Sequence, residues 1–248
     1  MVDIVPELLE FMRAELLYEI GQDSEIVAIE RRINQGTASM VDVHRYSEAL
    51  GTNLSAILRS NIVYDKLPTG KLYYNIADRI IRPLLEDAYM SVNDTAEQIQ
   101  AIIDEASEIG IKSIRPEFPH ERVHGLVNKA VEAGEDYDKW LGEPIINTVE
   151  SFSDDYMKAN AKFRAEAGLD TYIIRNARAS CCDWCAALVG KYEYDGTLAY
   201  ETDVFRRHEY CRCDVILESN KGRYRQDVWS KKMVDPQAVE DRKTYGLD

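Results

Sequence analysis

Residues 163–185 read FRAEAGLDTYIIRNARASCCDWC, and the character of the chain changes inside them. Up to Gly168 the apolar spacing is helical. Gly168 itself suits the end of a helix, because glycine enters left-handed backbone without a Cβ penalty. TYIIRNA, residues 171–177, then reads as a short strand rich in branched and aromatic residues, and the first cysteines follow. A boundary near residue 169 divides the chain.

Working back from that boundary, Ile145, Val149, Phe152, Tyr156, Ala159 and Phe163 step by four and three alternately, with Pro144 placed to start the helix. Leu85, Tyr89, Val92, Ala96, Ile99, Ile103 and Ala106 repeat the pattern. Each set predicts one apolar stripe on a long helix. Such helices can pair with another copy or a partner, but an ordinary helical core is preferred. Nearer the start, Leu9, Met12, Leu16 and Ile20 share a face between Pro6 as a first helical residue and Gly21 as a stop. Further helices are expected over Ser24–Asn34 and Met40–Ile62, with Gly51 a candidate break in the latter. Residues 1–168 therefore read as a helical body.

Working forward, CDWCAALVG predicts a turn and a short helix closed by Gly190, and KYEY and CDVILE predict further short strands. The expected fold class is mainly α: a helical N-terminal body with long amphipathic helices, a small α+β module over residues 169–233, and a polar C-terminal tail over 234–248.

Charge follows the same division. Residues 1–170 hold 17 Lys and Arg against 31 Asp and Glu, whereas residues 171–248 hold 13 of each, so the whole net charge of −14 lies in the body. An acidic surface repels phosphate, which argues against nucleic acid as a partner. A local basic run (Arg206, Arg207, Arg212, Lys221, Arg223, Arg225, Lys231 and Lys232) faces Glu209, Asp214, Glu218 and Asp227. Its Arg206, Arg207 and Arg212 are the residues that could touch phosphate, although a solvated face is preferred. The N-terminus lacks a basic segment followed by an apolar one, and no run approaches the ~18–20 apolar residues that span a bilayer. Neither a signal peptide nor membrane contact is expected, and synthesis in a cytosol is.

All five cysteines fall within 33 residues, Cys181 to Cys213. In a reducing compartment, clustered cysteines lean toward metal binding over disulfides. Cys182 and Cys185 form C-x2-C, and His208, Cys211 and Cys213 form H-x2-C-x-C after 22 intervening residues. Two sulfurs three residues apart on a tight turn can grip one tetrahedral ion, and a second pair returned by a hairpin closes the site. That is the logic of a structural Zn2+ knuckle. Thiolates with an imidazole favour zinc over harder ions. Five candidates compete for four places. Cys182 and Cys185 are preferred with two of His208, Cys211 and Cys213, while Cys181 points away as a small buried residue. Trp184 and Tyr192, with Val204 or Phe205, are expected to pack around the ion. A redox C-x2-C lacks its βαβ setting here, and a zinc deaminase would place H-x-E before P-C-x2-C.

A second motif competes. HERVH, His120 to His124, matches the H-E-x-x-H of zinc peptidases, in which two histidines hold the metal and Glu121 activates water. Pro119 sets His120 at a helix start, Arg122 puts a cation between the ligands, and Val127 and Ala130 stand where an extended motif needs Gly and His. Glu143 or Glu150 could supply a third ligand. A zinc-dependent hydrolase using His120, Glu121 and His124 is thus the rival reading, and a general zinc-knuckle interaction module a third. His44 reads as a structural histidine without partners. Walker A and G-x-S-x-G motifs are lacking.

The pattern formed by Arg175, Cys182, Trp184, Cys185, Leu188, Gly190, Tyr192, Tyr194, Arg207, His208, Cys211 and Cys213 resembles the C-terminal module of tailed-bacteriophage minor capsid, or head-morphogenesis, proteins similar to phage Mu protein F. The likeness covers about residues 160–232, and KGRYRQDVWSKK resembles versions from phages of Gram-positive bacteria. It implies a structural protein of the virion (capsid interior or portal vertex), assembled in the host cytoplasm, with the portal protein or the major capsid protein as partner. Some relatives carry a toxin or ADP-ribosyltransferase domain after the module. The 35 residues after Cys213 are too few for one, which favours a structural over an enzymatic role.

Overall fold

The computed structural model describes residues 3–178, 181–194, 204–208 and 210–221. Glu209, Arg223, Arg225, Asp227, Lys231, Lys232, most of KGRYRQDVWSKK and the tail at 234–248 lie outside them. The fold is mainly helical with a small antiparallel sheet near the C-terminal end. The helices are α1 (Val5–Gln22), α2 (Ser24–Asn34), α3 (Met40–Asn61), α4 (Tyr74–Ala106), α5 (His120–Glu132), α6 (Asp138–Leu141), α7 (Glu143–Glu166) and α8 (Asp183–Ala187). The strands are β1 (Asp170–Asn176), β2 (Gly190–Glu193) and β3 (Asp214–Asn220), in the spatial order β2-β1-β3.

Capping chemistry sets several ends. The Asp23 carboxylate accepts from the Glu25 and Ile26 amides at 2.9 and 3.1 Å, so α1 runs through Gly21 and the chain turns at Asp23 instead. Ser39 and Asp42 form a reciprocal capping box at the start of α3. Gly51 does not break α3. It lies against α7, and a Cβ there would stand 3.1 Å from the Ile146 Cα. The glycine marks a close helix crossing, not a stop. Gly190 likewise closes no helix and opens β2. Residues 107–119 are not helical, and they are fastened to α7 by Asn160, whose side-chain amide exchanges two 2.8 Å hydrogen bonds with the Ile114 backbone.

The long stripes are buried inside the fold over most of their length; at the end of α4, Ile103 is half-buried and Ala106 exposed. Leu85, Tyr89, Val92, Ala96 and Ile99 of α4 and Ile145, Val149, Phe152 and Tyr156 of α7 all lie in the interior. Burying such side chains stabilises by ~1.5–3 kcal/mol each. Toward its end the α7 stripe departs from the simple pattern: Met157, Ala161 and Arg164 are buried while Phe163 is half-exposed. Arg164 is carried inward because Asp104 of α4 meets it with two hydrogen bonds, one of them at 2.8 Å, and Gln100 bonds the same carboxylate at 2.9 Å.

The sheet shares the helices' core. On β1, Thr171, Ile173 and Arg175 alternate inward, and on β3, Val215 and Leu217 do. Ile173 pairs with Leu217 and Arg175 with Val215. Ile173, Val215 and Leu217 pack with Met40, Val43, Ala96, Tyr156 and Met157. The change of texture at residue 169 therefore marks a change of secondary structure across a shared apolar cluster.

Candidate metal centre

The inward alternation of β1 ends at Arg175, and the chain then turns into the cysteine segment. Cys182 caps α8, its sulfur accepting from the Cys185 amide at 3.5 Å. Across from it, the Cys211 amide bonds the His208 carbonyl at 3.1 Å, and Tyr210 adopts a φ of 61°, which tightens that turn. Five of the sequence-predicted residues converge. Cys182, Cys185 and His208 have donor atoms within 4.8 Å of one another, and so do Cys185, Cys211 and Cys213. The His208 Nε2 lies 3.2 Å from the Cys182 Sγ and 3.1 Å from the Cys185 Sγ, and the Cys185 and Cys211 sulfurs are 3.7 Å apart.

This arrangement can hold a metal ion. A tetrahedral ion with metal–sulfur bonds of 2.3 Å separates its sulfurs by ~3.8 Å, close to the Cys185–Cys211 spacing. Burial and the neighbouring sulfurs push the Cys185 thiol up to about 12, and burial raises Cys213 as well. Cys182, exposed and bonded to the Cys185 amide, is held below the usual thiol value. Metal-free, Cys185 and Cys213 are thus held as neutral thiols, and a bound cation reverses that preference. Cys181 is half-buried against the cluster and belongs to neither triad.

The surroundings differ from expectation. Trp184 does flank the centre, its ring 5.9 Å edge-on from His208 and 5.5 Å from the Arg175 guanidinium. Val204, Tyr192 and Phe205 do not; they join the apolar core beneath the sheet. The inward face of the sheet leads there, and the sulfurs lie beyond its end.

Behind the centre is a buried polar network that periodicity could not reveal. His44 was expected to lack partners. Instead its Nε2 meets the Val215 carbonyl and, at 3.2 Å, the Val215 amide, and its Nδ1 lies 2.9 Å from the Ser153 hydroxyl and 3.1 Å from Arg207. Burial holds His44 below its usual value, keeping it neutral. Arg207, beside His208, is clamped by both oxygens of Asp154. Arg212 pairs with Glu143 at 2.8 Å, Glu150 at 3.2 Å and Glu48 at 3.3 Å. Two of the three arginines read as possible phosphate contacts therefore bind the acidic body, and Arg206 remains exposed. Burial drives the Glu150 carboxyl up to about 7 against the pull of Arg207 and Arg212. The sequence signal for this network was the charge asymmetry itself: an acidic body beside a segment rich in arginine.

The HERVH segment opens α5, with His120 at its exposed N-terminus. The His120 ring packs on Phe118 at 5.0 Å, the His124 Nε2 bonds the Asn128 amide at 2.9 Å, and Arg122 pairs with Asp155 at 2.7 Å. Among the described residues no third ligand joins the two histidines, and Glu143 and Glu150 face Arg212 instead. No described helix is long and apolar enough to cross a membrane.

Comparison of the chain with protein-family models, curated proteins and solved structures returns no match.

Proposed function

We propose that this protein is an architectural component of a tailed-bacteriophage head, a minor capsid protein that contacts the portal or major capsid protein during assembly, and that its cysteine cluster holds one structural Zn2+. The observation that carries the metal role is the supply of donors. Four sulfurs and one imidazole gather in two triads that share Cys185, more donors than the four that one tetrahedral ion needs, which would leave no position open for water or substrate. Sulfur and nitrogen donors fit zinc, and a closed site has no reaction to run. The ion fastens the end of β1, α8 and the start of β3 where apolar side chains are scarce. The phage reading is supported by the residue pattern from Arg175 to Cys213.

Metal content and assembly test the two parts separately. Native mass spectrometry of protein purified without added metal should find one zinc, lost in Cys185→Ser and kept in His120→Ala. The reverse result would make the peptidase motif the metal site. Co-expression with a tailed-phage portal protein should give a complex that co-sediments with procapsids; absence from purified heads overturns the capsid role.

A further inference from the structure

Two features narrow the centre further. The first is a pair of matched turns. Cys182-x2-Cys185 is tightened by an amide–sulfur bond of 3.5 Å, and His208-x2-Cys211 by an amide–carbonyl bond of 3.1 Å. Cys213 lies one step beyond the second turn, at the approach to β3, and reaches only the Cys185–Cys211 side.

The second is Arg175. Its side chain is fully buried, and among the described residues no carboxylate lies within ion-pair distance. The Nη1 group donates to the carbonyls of Val204 and Arg206. The Nη2 group donates to the sulfurs of Cys185 and Cys211, 3.6 Å from each. A buried cation without a counter-charge is costly. Three thiolates and one imidazole around a divalent zinc carry a net charge of −1, which Arg175 neutralises. Four thiolates would carry −2 and leave a buried negative charge.

We infer that the ion is bound by Cys182, Cys185, His208 and Cys211, that Cys213 lies outside the coordination shell, and that Arg175 is a positioning residue supplying the counter-charge through Cys185 and Cys211. This rests on the structural-metal reading above. In the structure the donors form two triads sharing Cys185, so coordination draws Cys211 toward Cys182 and His208.

The test uses the full-length protein, titrated with zinc against a chromophoric chelator, and with cobalt(II) so that absorption counts the thiolates. Cys213→Ser should keep one ion with affinity changed by less than about threefold and a three-thiolate spectrum. Cys211→Ser should lose more than the ~10–100-fold that supporting groups carry. Arg175→Met should weaken binding by ~10–100-fold, while the melting temperature of the metal-free protein stays the same or rises, because an unmatched cation has been removed. Arg175→Lys should recover part of the affinity. Loss of the ion in Cys213→Ser, or a four-thiolate spectrum in the wild type, overturns the ligand set. A metal-free Arg175→Met protein destabilised as much as the loaded one overturns the counter-charge role. A wild type that binds no zinc overturns the metal reading itself.

Discussion

The helical body and the cysteine-bearing end of this molecule are held by different forces. In the body, Leu54, Ile80, Leu84 and Phe152 lie in one continuous apolar interior, and cohesion is spread over many contacts. At the other end the buried cluster is three cysteines with Ala177 and Cys181 against them. Cohesion there comes from a few directional contacts: sulfur and imidazole donors gathered in two triads that share Cys185, and arginines reaching back to Asp154, Glu150 and Glu48. Diffuse apolar packing tolerates local loss, whereas a site built on direction fails when one donor goes. The sheet joins the two regimes, with Ile173 and Leu217 in a second apolar cluster beside Tyr156 and Met157 of α7, and Arg175 among the sulfurs.

The sharpest way to break this comparison is to damage each region and measure the other. Phe152→Ala should cost ~3–5 kcal/mol in urea unfolding, the usual range for a buried aromatic, while zinc affinity is unchanged. Chelation should do the reverse. Hydrogen exchange should accelerate around Arg175 and Val215 while the amides of Leu54 and Phe152 stay protected. Parallel losses in both experiments would show one cooperative unit with no division of labour.

The two regimes also explain what could be read in advance. Helix positions with strong caps were legible: α2 has the expected bounds, and α3 starts at Met40 behind its capping box. The strand over residues 171–177 was legible from its branched and aromatic residues, though not which face it buries, and the clustering of Cys182, Cys185, His208, Cys211 and Cys213 was legible from motif spacing. Gly51 was not legible, because a glycine that breaks a helix and one that lets two helices touch look alike until the partner is known. Nor were His44, Arg164 and Arg207. Each is buried because a specific group more than 50 residues away meets it, Val215, Asp104 and Asp154 respectively. Hydrophobic periodicity carries no record of such pairs.

Glu150 sharpens the comparison through pH. Its carboxyl titrates at about 7 in the folded protein against an ordinary 4.5. The folded state therefore binds more protons between these values, and stability falls as pH rises through that window. At 1.36 kcal/mol per unit the full cost above the folded value is ~3 kcal/mol. His44, held below its ordinary 6.5, acts oppositely and favours the unfolded state as pH falls. Comparing wild type with Glu150→Gln removes the histidine contribution. The difference in unfolding free energy should grow from pH 4.5 to 7 in favour of the variant, and a flat difference would mean that Arg207 and Arg212 fully offset burial.

Gly51→Ala probes the contact between α3 and α7 that supports the network. Its Cβ would meet the Ile146 carbonyl oxygen at 3.2 Å, and backbone cannot swing aside as a side chain can. The gain from replacing a helical glycine, ~1 kcal/mol, is set against overpacking of ~1–3 kcal/mol. Net destabilisation is expected in thermal melts. A stabilised variant would show that the crossing has room to spare.

The smallest effect lies at the surface, and it isolates what burial adds to an ion pair. Arg59 of α3 bonds both oxygens of Asp138 at 2.9 and 2.7 Å, with side chains 53% and 49% exposed. Arg212 makes contacts of similar length, yet its partner Glu150 is only 3% exposed. Solvent screens the first pair, so Arg59→Ala should cost only ~0.2–1 kcal/mol and fade with added salt. Arg212→Ala leaves Glu150 enclosed with less positive charge nearby. Its loss should exceed that of Arg59→Ala, persist in salt, and shrink as pH drops and Glu150 takes up its proton. Equal, salt-sensitive losses at both positions would mean that the polar network behind the cysteine cluster behaves as surface, and would leave the proposed ion alone to fasten this end of the protein.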